Sequence, residues 1–254
     1  MNLVLTNLEA ISSGSIAGKI ARLPLALIPR NAVVPILRGG LRGKRWVVGS
    51  AIHRCWLGFY EFEKQRLISS MVKPGTVFYD VGANVGFYSL LAAGLVGPQG
   101  RVFAFEPLPR NVIYLRRHLT LNRVSNVEIL ELAVGERTGS ASFTPDPSGC
   151  MGRLSDTGCL PVTVASLDDL LEQGRLMPPH SIKMDIEGTE LLALRGAQSC
   201  IQRHRPIIFL ATHGRNIHAA CRRLLESWEY ECTEFGSVSS DSLGEVMGWP
   251  LCRE

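Results

Sequence analysis

The fold of this chain is decided by the stretch Val77-Phe-Tyr-Asp-Val-Gly-Ala-Asn-Val-Gly86. Its apolar first half is typical of a short buried strand, over Thr76–Asp80, and its two glycines predict a tight turn. Glycine allows a positive φ and lets a ligand approach the main chain closely. We therefore predict a strand tipped by Asp80, a ligand-binding turn, and a helix over Phe87–Leu95.

Strand and helix patterns alternate on both sides of this turn. The further strands that we predict are Arg101–Phe105, Val127–Leu132, Ser140–Phe143, Val162–Ala165, Ile182–Met184, Ile207–Thr212 and Tyr230–Phe235. The further predicted helices are Glu61–Met71, Pro109–Asn122, Thr189–Cys200 and Ile217–Trp228. This alternation indicates an α/β fold with a parallel sheet and helices on both faces, in which ligands bind at the carboxyl ends of the strands.

The spacing of the turn discriminates between cofactor classes. It is Gly82-x-x-x-Gly86 with Asn84 between the glycines, so it lacks the middle glycine with which a dinucleotide site approaches a pyrophosphate. Glu106 ends the next strand, where an acid accepts hydrogen bonds from the two hydroxyls of a ribose. A nucleoside without a pyrophosphate therefore fits best, and S-adenosylmethionine is the common cofactor of that description.

Two further positions complete the predicted cofactor site. Asp80 places a negative charge where an ammonium group can bind, and Ala133 follows the third strand, where a small side chain suits an adenine face. The alternative for the turn is a strand-to-helix connection that binds no ligand, and the alternative for Ala133 is an ordinary strand end. The predicted cofactor-binding residues are Asp80, Gly82, Asn84, Gly86, Glu106 and Ala133.

Three residues at the tips of later strands are candidates for chemistry: Asp185, Glu187 and His213. Side chains at i and i+2 of an extended backbone point the same way, so the two carboxylates are expected to face one cleft. They suit a base with an orienting partner, or oxygen ligands of a divalent cation, although no metal is predicted. An imidazole near its reference pKa is a ready base at neutral pH. The alternatives are a helix-terminal role for Glu187 and a structural hydrogen bond for His213.

Five motifs in order resemble the FkbM family of class I methyltransferases. They are Phe78-Tyr-Asp-Val-Gly-Ala-Asn-Val-Gly-Phe-Tyr-Ser89, Phe105-Glu-Pro107, Ser166-Leu-Asp-Asp-Leu170, Ile182-Lys-Met-Asp-Ile-Glu-Gly-Thr-Glu190 and Phe209-Leu-Ala-Thr-His-Gly214. The resemblance covers about residues 58–230. It implies the seven-stranded Rossmann-like methyltransferase fold, S-adenosylmethionine as methyl donor, and O-methylation of a hydroxyl on a sugar, a glycolipid or a polyketide-type small molecule. By position it gives the cofactor role to Asp80, Gly82, Asn84, Gly86 and Glu106.

Composition and charge add a domain division. With 46% hydrophobic and 20% charged residues among 254, the chain is neither disordered nor fibrous. Residues 1–57 are predicted to form a basic, partly helical N-terminal extension, and residues 58–254 the methyltransferase domain. Residues 1–60 hold eight Lys or Arg against one acid, which leaves peripheral membrane contact open, for residues 3–28 in particular. Seven scattered cysteines without a C-x-x-C pair favour a reducing, cytoplasmic location.

Acceptor and partner predictions are less specific. We expect a small-molecule or glycan acceptor and no nucleic acid, with Thr144–Leu160 and its Arg153 shaping the acceptor pocket. The alternatives are a methyltransferase acting on protein or nucleic acid, a non-catalytic nucleotide- or RNA-binding protein, and a nicotinamide-dependent oxidoreductase. The pattern leaves the oligomeric state open.

Overall fold

A computed structural model describes Leu25 and residues 27–145, 152–154, 160–235 and 245–251, with only the backbone given for 143–145 and 152–154. The central sheet has seven strands. In order across the sheet they are β12 (Tyr230–Phe235), β13 (Glu245–Pro250), β11 (Ile207–Ala211), β10 (Ser181–Met184), β3 (Val77–Val81), β4 (Arg101–Phe105) and β5 (Val127–Leu130). Neighbours are parallel except at β13, which is antiparallel to both β11 and β12. The predicted mostly parallel, seven-stranded sheet is confirmed.

Helices cover both faces of this sheet. They are α1 (His53–Leu57), α2 (Phe62–Met71), α3 (Phe87–Val96), α4 (Pro109–Leu121), α5 (Leu167–Glu172), α6 (Glu190–Arg195), α7 (Gln198–His204) and α8 (Arg215–Ser227). No helix among the described residues has the length and apolar character that a membrane crossing requires. The cytoplasmic location stays a prediction.

Strand β3 shows why the sheet is buried on both sides. Side chains alternate between the two faces of a strand, so Tyr79 packs into the core on one face while Phe78 packs into the core on the other. Both rings are fully buried. Asp80 shares the face of Phe78 and is also fully buried, which places a charged group beneath the turn that follows.

Two predicted elements have different bounds in the structure. The strand predicted over Val127–Leu132 ends at Leu130, because the chain turns there and enters a second sheet at β6 (Ala133–Val134). The helix predicted over Thr189–Cys200 is split into α6 and α7 near Gly196. A Cβ at Gly196 would lie 2.1 Å from the carbonyl oxygen of Gly135.

Tertiary contacts explain the second helix of that pair. The carboxylate of Asp168 accepts hydrogen bonds from the backbone N–H groups of Ser199 (2.9 Å) and Cys200 (2.8 Å). These are among the donors that the first turn of a helix leaves without a partner. Asp168 therefore stabilises a new helix start at α7, which the hydrophobic pattern does not reveal.

The smaller sheet contains β6, β9 (Leu160–Ala165), β7 (Gly139–Pro145) and β8 (Gly152–Leu154), in that order. Strands β7 and β9 are the two predicted on either side of a long loop, and they pair antiparallel. Strand β8 was not predicted. Residues 146–151 and 155–159 and the side chain of Arg153 lie outside the described part of the chain, so the predicted role of this loop stays a prediction.

The described part of the N-terminal extension packs on the face of the sheet that carries Phe78. A hairpin pairs β1 (Val33–Pro35) with β2 (Arg45–Val47), and Trp46 is fully buried in the same core as Phe78. Most of the segment 3–28, for which peripheral membrane contact was left open, lies outside the described residues. The division of the chain after residue 57 stays a prediction.

His118 joins this hairpin to the turn after β3. Its ring stacks on Trp46 with centroids 3.8 Å apart. Nε2 accepts a hydrogen bond from the backbone N–H of Val47 (3.1 Å), so Nδ1 carries the proton and donates to the carbonyl oxygen of Val85 (2.8 Å). Burial lowers the pKa of His118 from 6.5 to about 4. The imidazole is therefore neutral at physiological pH.

This histidine predicts a pH-dependent stability. A histidine whose pKa is lower in the folded state stabilises the fold above pH 6.5, and that contribution is lost as pH falls towards 4. We expect the free energy of unfolding to fall by roughly 3 kcal/mol across this window from His118 alone. Urea unfolding at a series of pH values, for the wild type and His118→Gln, measures the effect. Identical pH slopes in the two proteins would contradict it.

Candidate active site

A cavity of about 530 Å³ lies at the carboxyl ends of β3, β4 and β10. Its walls include Gly82 and Asn84 from the turn after β3, Glu106 from the end of β4, and Asp185 from the end of β10. Residues 49–53 of the N-terminal region form a further wall. The cavity therefore occupies the position at which parallel α/β sheets bind ligands.

The turn after β3 has the backbone conformation that its glycines predict. Gly82 (φ 78°) and Gly86 (φ 91°) are left-handed, and so is Asn84 (φ 50°). The N–H groups of Gly82 and Ala83 both donate to the carbonyl oxygen of Phe105, at 3.1 and 2.9 Å. The turn is thus held against the end of β4, with its backbone facing the cavity.

Glu106 is 4% exposed and lines this cavity. Its Oε2 accepts a hydrogen bond from the N–H of Asn84 (2.7 Å), and its Oε1 accepts from the N–H of Leu108 (3.0 Å) and Nδ2 of Asn111 (3.2 Å). Burial raises the pKa of the carboxyl above its ordinary value, against these hydrogen bonds. A carboxylate offers about four acceptor positions, so Glu106 can accept a ligand hydroxyl while it fixes the turn.

Asp80 differs from the other predicted cofactor residues. It is fully buried and does not line the cavity. Its Oδ2 accepts a hydrogen bond from Ser89 Oγ (2.6 Å), and its Oδ1 lies 3.2 Å from Nζ of Lys183. Lys183 in turn donates to the carbonyl oxygen of Gly82 (2.8 Å). The structure therefore favours a positioning role for Asp80 beneath the turn, instead of direct contact with a cofactor ammonium.

Ala133 and Gly86 also occupy distinct positions. Ala133 lines the cavity together with Leu132, as an adenine-facing residue should. Gly86 is not among the lining residues, and a Cβ there would lie 2.3 Å from Cδ1 of Leu115. Its function in the structure is to let α3 start close to α4. Direct cofactor contacts of Gly82, Asn84, Glu106 and Ala133 stay predictions, with which their placement agrees.

The three candidate catalytic residues come together at the other end of the cavity. Asp185 and Glu187 line it. Nε2 of His213 lies 3.7 Å from Oδ1 of Asp185 and 3.4 Å from Oε2 of Glu187. Each of the three offers one possible ligand atom for a metal, and these atoms lie within 4.8 Å of one another. The positions of these three residues at strand ends thus predicted that they lie close together.

His213 is oriented by a residue that the sequence analysis missed. Its Nδ1 lies 2.8 Å from Oε1 of Glu190, which is fully buried at the start of α6. The hydrogen bond to Glu190, followed by the charges of Asp185 and Glu187, raises the pKa of His213 from 6.5 to about 9 against the effect of burial. The imidazole in this environment is protonated at neutral pH, which disfavours the predicted role of a ready base.

The pKa of His213 is a testable consequence of this geometry. In protein kept free of metal by a chelator, we expect the imidazole to titrate near pH 9, and Glu190→Gln to move the pKa down towards 6.5. Its contribution to stability is complete below pH 6.5 and is lost as pH rises through 9. An NMR titration measures the pKa directly, with Glu172→Gln, an exposed acid, as control. Titration near 6.5 in the wild type would contradict the assignment.

The pKa of Asp185 is lowered, in contrast to that of His213. Although burial opposes it, the charges of Lys183, Lys64 and His213 hold the pKa of Asp185 below its ordinary value. Lys64 is itself 3% exposed, and its Nζ lies 3.9 Å from Asp185 Oδ2 and 2.6 Å from Glu61 Oε2. It also pairs with Glu245 on β13. Asp185 is therefore a carboxylate at neutral pH, suited to accept a hydrogen bond.

Comparison with known proteins decides the family. The family model of the FkbM methyltransferase domain matches residues 80–232. These residues contain the turn after β3, Glu106, and the cluster of Asp185, Glu187 and His213. The chain belongs to the FkbM methyltransferase family. Its fold is that of the class I S-adenosylmethionine-dependent methyltransferases.

Individual relatives share part of their length with this FkbM-family chain. Hexuronic acid methyltransferase AglP of Haloferax volcanii is 30% identical over 140 residues, covering 54% of this chain and 56% of AglP. The 31-O-demethyl-FK506 methyltransferase FkbM of Streptomyces tacrolimicus is 26% identical over 161 residues, covering 50% of this chain and 61% of that relative. The chain thus spans little more than half the length of these relatives.

A solved FkbM-family structure supports the fold. The crystal structure of methyltransferase FkbM from Methylobacillus flagellatus superimposes with a TM-score of 0.53 at 20% identity, covering 78% of this chain and 56% of that one. The family match begins at residue 80. The cavity wall at residues 49–53, and Lys64 beside Asp185, therefore lie outside the residues that the family model matches.

Proposed function

We propose that this protein transfers a methyl group from S-adenosylmethionine to a hydroxyl of a sugar, a glycolipid or a polyketide-type small molecule. The observation that carries the proposal is the continuity of one cavity. A single space of about 530 Å³ is lined at one end by Glu106, which we expect to bind the ribose, and at the other by Asp185 and Glu187. A cofactor seated on Glu106 can thus extend its reactive end towards the two acids.

Methyl transfer requires above all that the acceptor oxygen, the methyl carbon and the sulfur be held in line. The acceptor oxygen attacks the methyl carbon, the S–CH₃ bond breaks with its electron pair passing to sulfur, and the hydroxyl proton leaves to a base or to solvent. The sulfonium is already activated, so holding oxygen, carbon and sulfur in line accounts for much of the catalysis. Asp185 is ionised and faces the cavity, which suits it to orient the hydroxyl by accepting its hydrogen bond.

The names of two relatives and the volume of the cavity support this acceptor class. One curated relative is named for a hexuronic acid and another for an oxygen of a polyketide-type molecule. The described walls of the cavity come from the turn, the strand ends and residues 49–53. A small hydroxylated acceptor fits a cavity of this volume more readily than a folded protein or an RNA helix does.

Mass spectrometry of the transferred methyl group tests the proposal. The protein is incubated with S-adenosylmethionine carrying a trideuterated methyl group and a panel of hexuronic acids, neutral sugars, hydroxylated macrolides, a mixed peptide library and total RNA. We expect the label on a hydroxyl of a small-molecule or glycan acceptor, and its loss in Asp185→Asn. Label on peptides or RNA alone would contradict the proposal in favour of a macromolecular acceptor.

A further inference from the structure

The spacing within the acid–histidine cluster (Asp185, Glu187 and His213) is the starting point. Nε2 of His213 lies 3.4 Å from Glu187 and 3.7 Å from Asp185. Charge-assisted hydrogen bonds are shorter, about 2.7–2.9 Å. Donor atoms that share one ion at about 2.2 Å are instead separated from one another by roughly 3.1–3.6 Å in octahedral or tetrahedral geometry. The distance from Nε2 to Glu187 falls within this range and the distance to Asp185 lies just beyond it, so small side-chain movements would bring the three groups around one cation.

The orientation of the His213 imidazole also favours a bound cation. Oε1 of Glu190 accepts the hydrogen bond from Nδ1 of His213 and a second one from the N–H of Gly188 (2.9 Å). In the neutral ring this leaves the lone pair on Nε2, which is the nitrogen that faces both acids. Histidine ligands of metals are characteristically held in this way by a carboxylate on their other nitrogen. Glu190 lies outside the cluster and is fully buried, so it is an independent, preorganised support.

Local charge also favours a cation. Nζ of Lys64 lies 3.9 Å from Oδ2 of Asp185, but Lys64 and Lys183 each have another carboxylate to neutralise. Lys64 lies 2.6 Å from Glu61 and pairs with Glu245 as well, and Lys183 pairs with Asp80. The carboxylates of Asp185, Glu187 and Glu190 all lie within 3.7 Å of a ring nitrogen of His213. Three acids so close to one imidazole favour the binding of a cation at its free nitrogen.

We propose that Asp185, Glu187 and His213 bind one divalent first-row cation, of which Mn²⁺ is representative, at the acceptor end of the cavity. Two carboxylate oxygens and one imidazole nitrogen leave coordination positions open. Asp185 and Glu187 line the cavity, so those positions are accessible to an acceptor. The purpose of the ion rests on the proposed function: it binds the acceptor hydroxyl and lowers its pKa. Acceptors with two vicinal oxygens would chelate it best.

Mn²⁺ binding to the full chain, followed by electron paramagnetic resonance of the free ion, tests the site. We expect one Mn²⁺ per chain in the wild type, and affinity at least about tenfold weaker in Glu187→Gln and Asp185→Asn. Loss of the supporting carboxylate in Glu190→Gln should weaken binding about 10–100-fold. Glu128→Gln, an exposed acid on β5, is the matched control and should bind as the wild type does. Circular dichroism verifies that each variant is folded.

Two results would overturn the metal site: no stoichiometric Mn²⁺ binding by the wild type, or equal affinities in Glu187→Gln and Glu128→Gln. A parallel titration with S-adenosylhomocysteine in the presence of a chelator tests the proposed function separately. Binding of S-adenosylhomocysteine without Mn²⁺ binding overturns the metal site alone. Mn²⁺ binding without any binding of S-adenosylhomocysteine supports the metal site and counts against the proposed function.

Discussion

Replacing Glu106 by Ala is expected to weaken the binding of S-adenosylhomocysteine by at least about 100-fold. Hydrogen bonds to a charged group contribute about 1.5–3 kcal/mol each, and 1.4 kcal/mol corresponds to a tenfold change in affinity. The variant loses the carboxylate that we expect to bind the ribose. It also releases the N–H of Asn84 and the side chain of Asn111, both of which Glu106 now holds in place. The backbone of the turn is then less well ordered for the ligand.

Isothermal titration with S-adenosylhomocysteine measures this effect. Glu128→Ala removes an exposed acid from the neighbouring strand β5 and should leave the affinity unchanged. Glu106→Gln separates the two contributions, because an amide can retain the size of the side chain while it replaces one acceptor by a donor. Equal affinities for the wild type and Glu106→Ala, with both proteins folded, would place the cofactor elsewhere.

The second large effect is expected from Gly82→Ala. A Cβ on Gly82 would lie 2.0 Å from the carbonyl oxygen of Asp185, and the residue has φ 78°. Backbone must therefore move, since the clash is with main chain, and a left-handed conformation of Ala adds strain. Overpacking and backbone strain each cost about 1–3 kcal/mol. We expect the free energy of unfolding to fall by roughly 3 kcal/mol or more, and both ends of the cavity to be displaced.

Gly94→Ala provides the matched control for this substitution. Gly94 lies in α3 with no atom within 4 Å of an added Cβ. Ala is preferred over Gly inside a helix, so this variant should gain up to about 1 kcal/mol. Urea unfolding compares the two proteins under identical conditions. A Gly82→Ala protein as stable as Gly94→Ala would show that the turn and the Asp185 segment are not packed as described.

Features encoded by short stretches could be predicted from the sequence. The turn after β3, Glu106 at the end of β4 and the acids after β10 all follow from an apolar strand that ends in glycines or charged residues. The strand ends of a parallel sheet meet at one edge, so the same logic predicted Asp185, Glu187 and His213 at that edge. The number of strands and the mostly parallel character of the sheet followed from the resemblance to a known family.

Features that depend on pairing between distant residues could not be predicted. Asp80 at a strand tip looks like a ligand-binding acid, and only its register opposite Lys183 on β10 shows that it is neutralised inside the protein. Lys64 pairs with Glu245, which is distant from it in the sequence. Nothing in the local pattern around either residue signals this contact. The strand that carries Glu245 was likewise missed.

The protonation of His213 shows a similar limit. Its residue type suggested a base at neutral pH, but three carboxylates surround it in the folded chain. One of them, Glu190, belongs to the quoted motif Ile182–Glu190 and was visible in the sequence as a polar residue at a helix start. Its burial was not visible. Both the pKa and the preorganisation of the imidazole follow from that burial.

A crystal structure of the protein with S-adenosylhomocysteine tests the central claim most directly. We expect the ligand in the cavity at the ends of β3, β4 and β10. Its ribose should lie on Glu106, its adenine beside Ala133, and its sulfur should face Asp185. Density for the ligand at any other place, or a cavity that stays empty at saturating ligand while the protein binds it in solution, would contradict the account.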